Sequence, residues 1–202
     1  MTRFCPSAPA LLRARVTEFL RGTARDFGRD SKGTVAVESI ILLPLVIWTY
    51  VAMFTFFDML RMKSVNQKAA FTIADAYSRE TEKINDIYVD STFTLFQGLT
   101  RVSNPGLRVS VISYDLDTDK YTVRWSQRRG AAATSVLTDN NVNSLRSWLP
   151  KIASGDEFIL LETWNDYKLP FKIGMDDWQM KSHVFMNPRF ADQLKWDDGT
   201  PT

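Results

Sequence analysis

The sequence predicts an α+β protein, with a long N-terminal transmembrane helix continuing outward into a head that carries an antiparallel sheet. Three observations predict it. Residues 35–57 hold a single charged side chain, Glu38. No glycine lies between Gly33 and Gly98, and Pro44 is the one proline there. Beyond Gly98 the apolar period changes from three-and-four to two, the change from helix to strand.

The first segment, residues 1–33, is a basic arm. Seven cations (Arg3, Arg13, Arg15, Arg21, Arg25, Arg29, Lys32) face three acids (Glu18, Asp26, Asp30), for a net +4. The remaining 169 residues hold 18 basic and 20 acidic groups, net −2. Because cationic flanks stay on the cytoplasmic side, the arm is expected inside and the head outside. Leu11, Leu12, Val16, Phe19 and Leu20 share one face of a basic helix. A mitochondrial presequence has that pattern, but a helix lying on an anionic inner leaflet is the preferred reading.

The second segment, 34–57, is the span. About 20 apolar residues at 1.5 Å rise cross a ~30 Å hydrocarbon core. It is longer than the apolar core of a cleaved secretory signal, and the bulky "FFDMLRMK" that follows has no small-residue cleavage pattern. Pro44 is expected to kink it. The third segment, 58–97, is a helical extension, since Met62, Val65, Ala69, Ile73 and Ala76 or Tyr77 recur at helical spacing.

The head, 98–202, reads as strands with one helix among them. "LRVSVISYDL" and "KYTVRW" alternate as half-buried strands, the second with Tyr121, Val123 and Trp125 on one face, and "DLDTDK" is the hairpin between them. A helix is expected from about Val142 to Ile152, capped by "TDNN" and stopped near Pro150 or Gly155. "EFILLETW" and "MKSHVFM" are further strands. The one cysteine, Cys5, lies in the basic arm, so the head holds together without a disulfide.

Chemistry-bearing clusters are sparse. His183, the only histidine, alternates with apolar neighbours and reads as structural or surface-exposed. Asp115, Asp117 and Asp119 have the one-three-five spacing of a calcium loop, but its glycine and glutamate positions hold Lys120 and Ser126. A polar hairpin tip is the simpler reading. Trp164, Asp166, Asp176, Asp177 and Trp178 would line the cleft of the rival account, a membrane-tethered enzyme or ligand-binding domain. No phosphate loop, metal-ligand set or cofactor motif is read, and no basic patch interleaved with aromatics suggests nucleic acid.

Gly33 closes the basic arm, Thr34 opens the span, and Glu38 is the fifth residue after Gly33. This arrangement resembles the processing signal of type IV prepilins and pseudopilins. "DSKGTVAVESIILLPLVIWTYVAMFTFFDMLRMKSVNQKAAFTIAD" more broadly resembles the N-terminal signature of TadE-like proteins of the tight-adherence (Tad/Flp) pilus system. Lys32, Gly33, Val35, Ala36, Glu38, Pro44, Ala69 and Ala70 carry the likeness, and "NPRFADQLKW" resembles the tails of relatives.

The resemblance implies a pilin-like fold, a prepilin-type leader ending at Gly33, and cleavage between Gly33 and Thr34 by a prepilin peptidase. It implies that Glu38 sets subunit register by pairing with a neighbour's new amine, and that the partners are pilins and other pilus assembly proteins. The location would be a bacterial inner membrane with a periplasmic head, and the role a non-catalytic one. Two features depart from the pattern: Ser39 stands where an aromatic often follows the glutamate, and the leader is 33 residues long. An uncut, membrane-anchored assembly component therefore stands beside the minor pseudopilin.

Overall fold

The computed structural model describes residues 32–102, 105–131, 135–153, 155–171, 174 and 176–198, with side chains from Val35 onward. The basic arm before Lys32, with its amphipathic helix, lies outside them. The chain forms two compact units, one through Met53 and one from Phe54.

Helix α1, Lys32–Arg79, is 48 residues long and runs unbroken through Pro44. Proline lacks an amide hydrogen, so the Ile40 carbonyl loses its usual helical donor; in the turn that follows Pro44, the Thr49 hydroxyl donates to the Leu45 carbonyl at 2.8 Å. In the first unit every residue from Val35 to Tyr50 is exposed. In the second unit the same helix is amphipathic. Ala69, Ala70, Ile73, Ala74 and Tyr77 are buried, and Met62 and Val65 half-buried, which is the face that the spacing predicts.

The helical extension is two helices rather than one. Helix α1 ends at Arg79, and α2, Asp86–Thr100, starts after an irregular link. Asn85 caps α2 by accepting from the Tyr88 amide at 2.9 Å. Arg101, with φ of +54°, closes it by donating its amide to the Gln97 carbonyl.

The sheet has four antiparallel strands in the order β2-β1-β3-β4: β1 Gly106–Asp115, β2 Lys120–Arg129, β3 Glu157–Tyr167 and β4 Trp178–Met186. Central strand β1 was expected to be half-buried but is buried on both faces, because each face has its own cover. On one face Leu107, Val109, Val111, Ile159, Leu161 and Val184 pack with the buried residues of α1 and α2. On the other, Ile112, Tyr114, Tyr121, Phe158 and Leu160 pack under Leu137, Val142 and Leu149. Each fully buried aliphatic side chain contributes on the order of 1.5–3 kcal/mol.

Strand β2 departs from simple alternation. Val111 is opposite Trp125 and Ile112 is opposite Val123, so Arg124 is an extra residue in β2. A one-residue bulge reverses the facing of everything beyond it. Tyr121 and Val123 therefore join the second core while Trp125 joins the first, correcting the expectation of one shared face. The bulged Arg124 reaches Glu157 at 2.9 Å.

The helix expected over 142–152 is only one turn, α3 Asp139–Val142, followed by a 3-10 turn at Asn143–Leu145. Thr138 and Asn141 form a reciprocal capping box that fixes its start. Side chains that would face solvent on a longer helix instead bind the edge of β2. Asn143 exchanges two bonds of 3.1 Å with the backbone of Tyr121, and Asp139 accepts the Val123 amide at 2.6 Å. These bonds use backbone groups that an uncovered edge strand would present to other chains.

The closing segment holds α1, the link and β2 together. The Arg189 amide donates to Ser78 at the end of α1, and Ile84 exchanges backbone bonds of 2.8 Å with Lys195 and Asp197. Leu194 is buried, its carbonyl accepts the Trp125 indole N–H at 2.7 Å, and Trp196 stacks on Trp125.

Candidate functional site

The backbone of Gly33 and Thr34 is helical and part of α1; the Thr34 side chain lies outside the described residues. Glu38 follows Thr34 by one turn, about 6 Å of helix rise. Its carboxylate stands on an exposed surface made otherwise of Val35, Val37, Ile40, Ile41 and Leu42. Pro44 is exposed further along the same helix. A helix that is apolar on all sides fits hydrocarbon or a protein interior, not water. Among the described residues it is the one helix long and apolar enough to cross a membrane.

The second unit begins at Phe54, and Phe54, Phe56 and Phe57 at its start are also exposed. Asp58 is the first charged residue after Glu38, and its carboxylate accepts the Tyr167 hydroxyl at 2.8 Å. Burial, aided by the bond to Asp58 and its negative charge, pushes the Tyr167 phenol up to about 12. Two turns further along α1, Asn66 lies buried against β3. It donates to Thr163 Oγ1 at 3.2 Å and accepts from Asn165 Nδ2. Asn165 Oδ1 is buried with no hydrogen-bond partner among the described residues, a cost of about 1–3 kcal/mol. This polar seam was missed in the sequence, although Asn66 interrupts the apolar stripe and could have signalled it.

The residues of the rival cleft are not gathered. Trp164 is buried beneath Arg108, whose guanidinium carbon is 5.2 Å from the ring centroid. Arg108 is itself held by Glu162, with Nε to carboxylate at 2.7 Å, and by the Ser135 carbonyl. Asp166 accepts from Gln179, Asp177 accepts the Leu169 amide, and Asp176 and Trp178 are exposed. A groove beside Asp166 is lined by Asp58, Met62, Arg101, Val102, Tyr167 and Lys168, without Trp164, Asp176, Asp177 or Trp178.

Two of the three hairpin aspartates, Asp115 and Asp119, have separate partners. Asp115 accepts from the Asp117 amide and the Thr118 hydroxyl, and these bonds, Thr118 first, hold its carboxyl below the usual range. Asp119, at φ +51°, binds the Tyr114 hydroxyl and Arg146. Among the described residues no group of His, Cys, Asp and Glu is arranged to hold a metal ion. His183 stacks on Trp148 with centroids 4.8 Å apart and lies beside Phe185.

Compared with protein-family models and with curated proteins, the chain has no match. The functional reading therefore rests on the residues themselves.

Proposed function

We propose that the chain is a minor pseudopilin or a membrane-anchored assembly component of a Tad/Flp type IV pilus. The observation that carries this is the helix of 48 residues whose apolar N-terminal surface bears one carboxylate, Glu38, five residues after Gly33. The TadE-like pattern of Lys32, Gly33, Val35, Ala36, Glu38, Pro44, Ala69 and Ala70 supports the same reading. In this account residues 34–57 span the inner membrane, the basic arm stays cytoplasmic and the head is periplasmic.

The role follows from electrostatics in low dielectric. Cleavage after Gly33 would create a cationic amine on Thr34, and a neighbour's Glu38 could pair with it as helices bundle. A pair offsets much of the desolvation that either charge would suffer alone, so one register is favoured over its neighbours. Without cleavage, Glu38 pairs with a donor on a partner helix and the protein stays an anchored assembly factor.

Deleting the gene from its native host tests the reading. Loss of surface pili, restored by the gene in trans, supports it; undiminished piliation rejects it. Intact mass of the membrane-extracted protein then separates the two forms, since a chain beginning at Thr34 is a processed pseudopilin and one beginning at Met1 is an uncut anchor.

A further inference from the structure

We infer that the segment leaving β3 rests the Phe171 ring in the interface of the membrane, so that lipid is a binding partner of the head as well as of the anchor. This rests on residues 35–57 being a membrane span. Asp58 then marks the watery edge of that span, as the first charge after its apolar run. Tyr167, the last residue of β3, is bonded to Asp58 at 2.8 Å, so the loop leaves the sheet at that level.

From there the chain turns back along the helix. The Phe171 ring meets Phe54 edge-on, with centroids 6.3 Å apart. Phe54 precedes Asp58 by four residues, about 6 Å of helix rise on the lipid side. Phe171 and Phe54 are both about half exposed, and so are Phe56 and Phe57 on the same turn of α1. Trp178, opposite Tyr167 at the loop's other end, is 46% exposed. Aromatic side chains at this depth match the belt that forms where hydrocarbon meets headgroups.

Two cations lie near the same level. Lys168 and Arg101 flank the groove at the level of Asp58, where their cationic ends reach lipid phosphates. Of the acids in this region, Asp166 is tied to Gln179, Asp177 accepts the Leu169 amide, and Asp176 is exposed. Water would be a poor neighbour for the Phe54–Phe171 surface, and the adjoining span supplies the better one.

The test uses full-length protein carrying Cys5→Ser, reconstituted into vesicles of phosphatidylcholine and phosphatidylglycerol. Single cysteines replace Phe171, Ile41 or Leu116, and each is labelled with the polarity-sensitive fluorophore NBD. A nitroxide on the upper acyl chain of the lipid is then compared with aqueous iodide as quencher. Position 171 should be quenched about threefold or more better by the lipid nitroxide, as should 41, with the order reversed at 116 in the exposed β1–β2 turn. Iodide quenching at 171 with lipid quenching at 41 overturns the proposal and leaves the span intact. Protection of 171 from both quenchers overturns it in favour of a protein neighbour. Iodide quenching at 41 overturns the span, and the proposal with it.

Discussion

Tyr167 donates its hydroxyl to Asp58 at 2.8 Å, joining the end of β3 to the helix at the first charged residue beyond the apolar run. A sequence separation of 109 residues lies between the two groups. The bond therefore fixes the sheet against α1 independently of any local preference.

Tyr167→Phe removes this bond and should lower stability by about 1–2 kcal/mol in detergent-solubilised full-length protein. It should also change the alkaline limb of the stability profile. Burial, with Asp58, raises the Tyr167 phenol to about 12, and burial, with Glu80, raises Tyr88 to about 12. An unfolded tyrosine ionises near pH 10, so between about pH 10 and 12 the unfolded state holds fewer protons than the folded one. Stability is thus complete below about pH 10 and falls as pH rises toward 12. Tyr167→Phe should flatten part of that fall, leaving the share due to Tyr88 and to Tyr77 and Tyr121, which burial also raises; denaturation midpoints across this range read the difference.

Gly130→Ala should be strongly destabilising. Gly130 has a φ of +81°, and a Cβ there would lie 2.0 Å from the Pro105 carbonyl oxygen and 2.9 Å from the Phe93 ring. The ring can turn, but the backbone oxygen cannot yield without moving the start of β1. A loss of about 2 kcal/mol or more is expected from the combined strain and overlap. A thermal midpoint equal to wild type would mean that the approach of these segments is looser than described.

Leu194→Ala tests the closing segment. Leu194 is 2% exposed, and its side chain belongs to the core that includes Trp125 and Ile84. Truncation should cost about 2–5 kcal/mol through lost burial and the cavity left behind. Since the Leu194 carbonyl still accepts the Trp125 indole bond, the loss would measure apolar packing. Chemical denaturation of the variant gives the value.

Much of this architecture was legible because long periodic patterns leave few alternatives. Ala69, Ile73 and Tyr77 specify one helix face whatever packs on it, and the alternation of β1 and the run "EFILLETW" of β3 locate both central strands. Their double burial was not legible, since Arg108 and Ser110 look solvent-facing until Glu162 and Ser126 are placed beside them. Nor was the bulge at Arg124, which breaks no local preference and is fixed by pairing with β1. The short α3 escaped because Asn143 and Asp139 bind a strand distant in sequence, an outcome that cap residues alone do not announce.

The site was legible in part for the same reason. Glu38 stands out by composition, in a run where a charge is costly, whereas Asp58, Asn66 and Asn165 take meaning only from their partners on or against β3. The aspartates of the hairpin illustrate the converse. Their spacing suggests a shared ligand, but Asp115 and Asp119 are already committed to different hydrogen bonds.

The central claim, that Glu38 acts in helix-to-helix assembly within the membrane, is tested most directly by Glu38→Leu in the native host. Membrane-fraction abundance and surface pili are measured together. The account predicts a normally inserted protein and loss of pili, because leucine favours insertion while removing the charge that selects register. Full piliation with Glu38→Leu at normal abundance would contradict it, reducing residues 34–57 to an anchor.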